Sequence, residues 1–371
     1  VDEDDIAAVV ECLRSGWLTS GPKVKEFEAA FASFLGDEVQ AVAVNSNTSG
    51  LLLSLQAFGI GPGDEVITST NTFSATALSV VHVGARPVLV DIDPRTLTVD
   101  PAAVEAAITP RTRAIIPVHI GGLACDMAAI GAIARRHNLK VIEDAAHAFP
   151  ASVDGRLIGN ATSDATIFSF YATKTITTGE GGMVTTPHPE IAQQLRLLRL
   201  HGIDKDIFSR DGDRRPWLYD VLAPGHKANM SDMAAALGVE QLKKAWAFHE
   251  RRTAIVRRYQ EAFADLPLVL PVDAPAGNLH AWHLYVVRLA PEVPMTRDAF
   301  IERMAASSIQ CSVHFIPLHR LTYWRERPDI AAAHLPQADA AFARSISLPL
   351  FTAMSDLDVD YVIAAVRRLL T

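Results

Sequence analysis

Apolar and polar positions alternate with two different periods along the first 200 residues. Short β-rich runs read as strands: AVAVN (41–45), EVITS (65–69), RPVLVD (86–91), RAIIPVH (113–119) and LKVIED (139–144). Between them the apolar spacing changes to a helical one in LLLSLQAFG (51–59), from about Ser74 to Val83, in AAVEAAI (102–108) and in MAAIGAIARRHN (127–138), the last closed by Asn138. GIGPGD (59–64) is a turn. Strands separated by helical stretches of this length predict βαβ units and an α/β fold with a mostly parallel sheet. From Ser231 to about Ala264 the pattern predicts one long helix, with Lys243, Lys244, Arg251, Arg252, Arg257 and Arg258 forming a solvated face rather than a phosphate patch. LPLVLPVDAPAGN (266–278) carries three Pro and one Gly and reads as a junction. Strands are expected at WHLYVVRL (282–289) and SVHFIPL (312–318), and helices near 296–307 and 355–370. The division expected is a large domain over 1–245 and a smaller α+β domain over 246–371.

Composition narrows the class. The 371 residues are 49% hydrophobic and 20% charged, which excludes a disordered chain. Lys and Arg total 34 against 42 Asp and Glu, a formal charge of −8, which argues against binding nucleic acid through its backbone charge. No apolar run approaches the roughly 20 residues of a membrane span, so no membrane partner is expected. No signal peptide opens the chain, and the absent initiator Met leaves a true N-terminus further upstream as an expectation. Cys12, Cys125 and Cys311 are far apart and form no CxxC pair, so buried, reduced thiols and a cytoplasmic location are expected.

Three segments carry chemistry. In FSFYATKTITTGEGGM (168–183), Lys174 follows a β-type run and precedes a Gly-rich turn. A Lys used as a nucleophile must shed its charge, which takes desolvation or a neighbouring cation. The hydroxyls of Ser169, Thr173, Thr175, Thr177 and Thr178 with Gly179, Gly181 and Gly182 suit an anion. Taken alone, a surface turn with a solvated Lys fits this segment equally well. In VIEDAAHAF (141–149), Asp144 falls at the carboxyl end of a parallel strand, where α/β sheets place ligands, and His147 lies a short turn away. A carboxylate there can hold a heteroaromatic N–H⁺, or it can cap the next helix. NSNTSG (45–50) opens an apolar helix, and its backbone N–H groups make a phosphate site or an ordinary N-cap.

In combination these segments resemble the pyridoxal-phosphate-dependent nucleotide-sugar aminotransferases of the DegT/DnrJ/StrS family. NSNTSG, TFSATA (72–77), EDAAHA (143–148), the Lys174 segment and GHKANMSD (225–232) stand in the family's order, with GWLTSGPKVKEFE (16–28) and SVHFIPLH (312–319) in addition, so the likeness covers nearly the whole chain. It implies an aspartate-aminotransferase-like fold (fold type I) and pyridoxal 5'-phosphate as cofactor. Lys174 would be the Schiff-base lysine and the proton carrier, and Asp144 the partner of the pyridine nitrogen. Phe73 would stack on the ring, and His147 would cover the ring or its hydroxyl. Thr48, Ser49 and Ser169 would hold the phosphate, with Asn229 reaching it from a neighbouring subunit, so a homodimer with shared active sites is implied. Trp17, Thr19 and His319 would touch the sugar, and Trp217 and Tyr219 a nucleobase.

Thr175 stands where the family often has Asn, and Ala228 where it often has Tyr. A branch that deoxygenates carries His at the lysine position, so Lys174 favours transamination. TTGEGG and GHKANMSD look like the 4-keto-sugar group. The implied substrates are a nucleotide-linked 4-keto-6-deoxyhexose, dTDP-4-keto-6-deoxyglucose foremost, with L-glutamate donating nitrogen and leaving as 2-oxoglutarate. The alternatives are a C3-keto-sugar aminotransferase of the same family and a non-catalytic regulator on the same fold. A dehydrogenase, serine hydrolase or P-loop enzyme is excluded because GxGxxG after a strand, GxSxG and GxxxxGK[ST] are all missing. His314 and His319 lack the spacing and companions of a metal site.

Overall fold

The computed structural model describes residues 1–36, 38–204, 217–327 and 334–371. Two helices open the chain, α1 (Glu3–Ser15) and α2 (Pro22–Leu35). The alternating region then follows as β1 (Gln40–Val44), α3 (Asn47–Ala57), β2 (Glu65–Ser69), α4 (Ser74–His82), β3 (Arg86–Val90), α5 (Pro101–Ala106), β4 (Thr112–Ile116), α6 (Met127–His137) and β5 (Lys140–Asp144). A short hairpin, β6 (Ser152–Val153) with β7 (Arg156–Leu157), leads to β8 (Ala165–Ser169), β9 (Gly182–Thr186) and α7 (Pro189–Leu198). Seven strands form one sheet in the order β1-β9-β8-β5-β4-β2-β3. Only β9 runs against the others, so the sheet is parallel but for one strand. All five residues of β2 and of β9 are buried, as in sheets covered on both faces. The carboxyl ends of the parallel strands therefore collect Asn45, Thr70, Asp144 and Ser169 along one edge.

The second half departs from the sequence expectation in four places. The helix expected over 231–264 is two helices, α8 (Asp232–Lys243) and α9 (Ala245–Phe263), meeting at Lys244. There the Lys244 ammonium reaches back to Asp2 and, at 3.0 Å, to Asp5, which ties the joint to α1. Arg252 does not share the solvated face: it is buried, and one guanidinium nitrogen donates to the carbonyls of Trp282, His283 and Leu350 at 3.1, 3.2 and 3.1 Å. The strand expected from Trp282 starts only at Tyr285, because Trp282 takes a left-handed φ of 47°. SVHFIPL is no strand. Ser312 alone pairs, with Ser347, before Pro317, which has no N–H to give, and Leu318, whose N–H turns to the carbonyl of Thr70 at 2.9 Å.

A small antiparallel sheet, β10 (Leu268–Val269), β11 (Tyr285–Leu289) and β12 (Ser345–Leu348), packs with α9, α10 (Arg297–Ala306) and the last helix, Asp356–Leu370, around Tyr259, Phe263, Phe300 and Val366. Cys12 and Cys125 are buried, Cys311 is half-buried, and all three are free thiols. Among the described residues no helix is long and apolar enough to cross a membrane.

Helix α2 is preceded by Gly21, which has no side chain to cap it. The cap comes instead from α8, where buried Asp232 accepts from the N–H groups of Gly21, Val24 and Lys23 at 2.7, 3.0 and 3.1 Å. Three donors share one carboxylate, so removing it strands several of them. Asp232→Ala is expected to cost about 3 kcal/mol in denaturant unfolding, and Asp232→Asn, which keeps the oxygen serving Gly21 and Val24, about 1 kcal/mol. Equal stability of all three proteins would contradict this account of the cap.

Candidate active site

Asp144 ends β5 in the middle of the sheet, with 4% of its surface exposed. A buried carboxylate needs donors, and this one has three: Asn47 Nδ2 at 3.3 Å and the Ala146 N–H at 3.2 Å on Oδ1, and the Thr76 hydroxyl at 2.8 Å on Oδ2. Asn47 opens α3 and Thr76 lies in the first turn of α4, so two helices on different strands converge on one side chain. Behind it Glu143 points to the opposite face, where it meets His119 Nε2 at 2.7 Å and the hydroxyls of Thr162 and Thr166 at 2.9 and 3.1 Å.

Lys174 sits on a loop that closes on itself. Phe170 and Gly181 pair at its base, Thr178 N–H donates to the Phe170 carbonyl at 2.9 Å, and Lys174 N–H donates to the Tyr171 carbonyl at 2.9 Å. The side chain is half-buried. Burial lowers its ammonium from an ordinary 10.5 to about 8, against a partly compensating pull from Asp144.

The N-terminus of α3 lies beside these groups. Ser46 caps it by accepting from Ser49 N–H at 3.1 Å, the Ser49 hydroxyl donates to Asn45 at 2.7 Å, and Thr48 is exposed. Gly182 pairs with Ser169 on one side and with Val44 on the other, so β9 lies between Ser169 and the strand that leads into α3. A Cβ on Gly182 would come within 2.7 Å of the Ser46 carbonyl carbon and 2.8 Å of Asn47 N. Only glycine lets β9 approach the helix this closely. Asn229 bridges to Val44 in the same row, and its amide donates to the Ser20 hydroxyl at 2.7 Å while its oxygen accepts from Lys227 at 2.6 Å.

His147 is buried, and its Nδ1 accepts from the Gly121 N–H at 3.2 Å, so in the neutral ring Nε2 carries the hydrogen. Burial holds it well below the usual histidine range, reinforced by Lys174 and His314. Phe73 stands 62% exposed at the start of α4, and its ring lies 5.7 Å from that of Phe315.

The remaining candidate residues make these contacts within the chain. Trp17 and Thr19 belong to the segment docked on the start of α8, where the Thr19 carbonyl accepts from Asp232 N–H at 3.2 Å and Trp17 Nε1 donates to the Ser20 carbonyl at 3.2 Å. His319 has both ring nitrogens engaged within the chain, Nδ1 with the Thr70 hydroxyl at 2.8 Å and Nε2 with Asp339 at 3.2 Å. His314, set aside in the sequence as no metal ligand, is the histidine of its segment close to Lys174: burial and then Lys174 lower its pKa. Trp217 and Tyr219 are exposed, and the part of their loop over 211–216 lies outside the described residues. Sequence reasoning missed Asn47, Thr76 and His283. The first two stood inside NSNTSG and TFSATA, a small polar residue at each helix start. His283 had no signal beyond its place in an otherwise apolar run.

The donor set fits pyridoxal phosphate. A carboxylate at a strand end suits a protonated ring nitrogen, an amine with a lowered pKa suits an aldehyde, and a helix start with hydroxyls suits a phosphate. Comparison with known proteins agrees. The model of the DegT/DnrJ/EryC1/StrS aminotransferase family matches residues 1–367. The chain is 49% identical over 370 residues to the spore coat polysaccharide biosynthesis protein SpsC of Bacillus subtilis (strain 168), covering 99% of this chain and 94% of SpsC. The PMP form of Spr1654 from Streptococcus pneumoniae superposes with a TM-score of 0.93 at 33% identity, over 100% of this chain and 97% of that one. DesV of S. venezuelae, solved in complex with a ketimine intermediate, superposes with a TM-score of 0.87 at 36% identity, over 98% and 93%. The chain therefore belongs to the DegT/DnrJ/EryC1/StrS aminotransferase family and is a pyridoxal-phosphate-dependent sugar aminotransferase.

Proposed function

We propose that the chain moves the amino group of L-glutamate onto a nucleotide-linked 4-keto-6-deoxyhexose, dTDP-4-keto-6-deoxyglucose foremost, giving the 4-amino-4,6-dideoxy sugar and 2-oxoglutarate. The observation that carries the reading is Lys174: an amine whose charge burial destabilises, within electrostatic reach of a carboxylate fixed by Asn47 and Thr76. The TTGEGG and GHKANMSD strings support the 4-keto substrate, and the likeness to a polysaccharide biosynthesis protein supports a sugar product.

Bound pyridoxal phosphate supplies the electron sink for the carbon that loses its proton. The chain does the rest. Asp144 would hold the proton of the ring nitrogen. Thr48, Ser49 and Ser169, with the N–H groups of α3, would hold the phosphate. Phe73 would cover one face of the ring, and His147 would donate from Nε2. Lys174 would anchor the cofactor and, as a free amine, would carry the proton between the two carbons. Trp17, Thr19 and the aromatic pair Trp217 and Tyr219 form the substrate side. Asn229 serves the phosphate of a second copy, which makes a homodimer the working unit.

At pH 7.5 a lysine with a pKa of about 8 is neutral in about a quarter of molecules, against about a thousandth for an unperturbed one. Only the neutral amine attacks a carbonyl. The rate at which the cofactor-free chain captures pyridoxal phosphate is expected to climb with pH up to about 8 and then level off. Borohydride reduction followed by peptide mapping should place the tag on Lys174, and Lys174→Ala should lose both tag and turnover. A tag on another lysine would overturn the assignment. Asp144→Asn should still bind cofactor but lower kcat about 100-fold, since the ring nitrogen loses its counter-charge. Parent-like turnover would end the electron-sink role. The substrate is tested in reverse, by offering 3-amino and 4-amino sugar nucleotides with 2-oxoglutarate. The 4-amino dTDP sugar should lose its nitrogen fastest, and preference for a 3-amino sugar would overturn the 4-keto reading.

A further inference from the structure

His283 touches the site from the far half of the chain. Its ring packs on that of His147 with centroids 4.3 Å apart and planes at 36°, and both residues are buried. The contact belongs to a closed circuit. His147 Nδ1 accepts from the Gly121 N–H, and the Gly121 carbonyl accepts at 3.1 Å from Leu284, the residue after His283. Beside it the Gly122 carbonyl accepts from Ala281 at 2.9 Å. A Cβ on Gly122 would lie 3.0 Å from Ala281 Cβ, from the His147 carbonyl oxygen and from Trp282 N, so glycine is what lets the segment 281–284 dock.

That segment is held under strain. Trp282 has a φ of 47°, a conformation tryptophan rarely adopts, and strain of this kind persists only where surrounding contacts enforce it. Those contacts are present. Its ring lies flat on His280 at 3.6 Å, its N–H donates to His280 Nδ1 at 2.9 Å, and Arg252 grips the carbonyls of Trp282 and His283 from behind. A buried guanidinium spent on three carbonyls is a large commitment for a surface turn. It is a reasonable one for a segment that must present a ring at a fixed place.

We infer that His283 is a positioning residue for His147: by covering its ring face it keeps Nδ1 on the Gly121 N–H and leaves Nε2 as the hydrogen-bearing nitrogen, a permanent donor. The groups around the pair all bear positive charge when protonated: Lys174 and His314 near His147, and these with Arg252 near His283. Among the described residues no carboxylate acts on either imidazole, and Asp144 acts on Lys174 instead. Burial first, then these neighbours, hold both imidazoles neutral, so the donor stays a donor through the working pH range. Without the His283 ring, water reaches His147, the imidazole can turn, and it regains an ordinary titration.

The consequence for turnover rests on the function proposed above; the tautomer does not. The test is long-range ¹H–¹⁵N correlation spectroscopy on the imidazole-labelled full-length chain, with and without pyridoxal phosphate, from about pH 5.5 to 8. His147→Gln assigns the signal. The parent and His283→Phe, which keeps a ring of similar size, should both show His147 as a single neutral Nε2–H tautomer that does not titrate. In His283→Ala, and in His283→Gln should the alanine variant fold poorly, the signal should mix tautomers and titrate near the ordinary histidine value, with kcat down about tenfold and KM for glutamate unchanged. An unaltered, non-titrating Nε2–H signal in both smaller variants would overturn the inference even if activity fell. Loss of the signal's character in His283→Phe would overturn it as well. Failure of Lys174 to capture cofactor would instead count against the proposed function and leave the tautomer result untouched.

Discussion

The structure turns on one buried carboxylate. Asp144 lies at the centre of the seven-stranded sheet, and its oxygens are met by donors from the starts of α3 and α4 and from its own backbone turn. Removing water from a carboxylate costs several kcal/mol unless donors replace it, so the helix starts must arrive at the right height for the fold to close. Groups that a pyridine ring would need are thereby brought to one edge: the carboxylate, the α3 N-terminus and Lys174. The site is a consequence of satisfying Asp144, and the strand order puts the donors within reach.

Lys174 and the histidines near it share a second constraint. Four groups that could each carry positive charge, Lys174, His147, His283 and His314, lie within electrostatic reach of one another in a desolvated region. Burial disfavours the charged forms of all four, and Lys174 adds repulsion at the three imidazoles. Among the described residues a carboxylate, Asp144, offsets this at Lys174, whose pKa burial brings from 10.5 to about 8. A lysine poised there can both bond a carbonyl and carry a proton at neutral pH, while imidazoles kept neutral act as fixed hydrogen-bond donors and apolar walls.

Glycine sets how near the backbone segments come. Gly182 admits β9 to the start of α3, and Gly122 admits the segment 281–284 to the back of His147. In both places a methyl group would press on backbone atoms rather than on the tip of a side chain. At Gly121 and Gly122 the two halves of the chain meet through backbone hydrogen bonds, from Leu284 and Ala281, beside the ring contact of His147 with His283.

Local patterning determined much of this protein. The alternation of periods placed five strands to within three residues at either end, with EVITS matching β2 throughout, because short β-rich runs bounded by turns and helical stretches mark strands of a covered sheet. The position of Asp144 at a strand end and of Lys174 after a β-run was legible for the same reason, and the motif order pointed to the cofactor. What the sequence could not show is which distant groups meet. Asn47 and Asp144 are 97 residues apart, Gly21 and Asp232 are 211 apart, and Thr70 and His319 are 249 apart. Periodicity records which face of an element is buried but carries no information about its neighbour. That neighbour is set by the sheet order, which places β5 between β4 and β8 and so joins helix starts, loop and C-terminal segment that no local rule connects. For this reason SVHFIPL looked like a strand until Thr70 claimed its backbone, Arg252 looked solvated until three carbonyls claimed its guanidinium, and His283 carried no mark until its ring was found on His147.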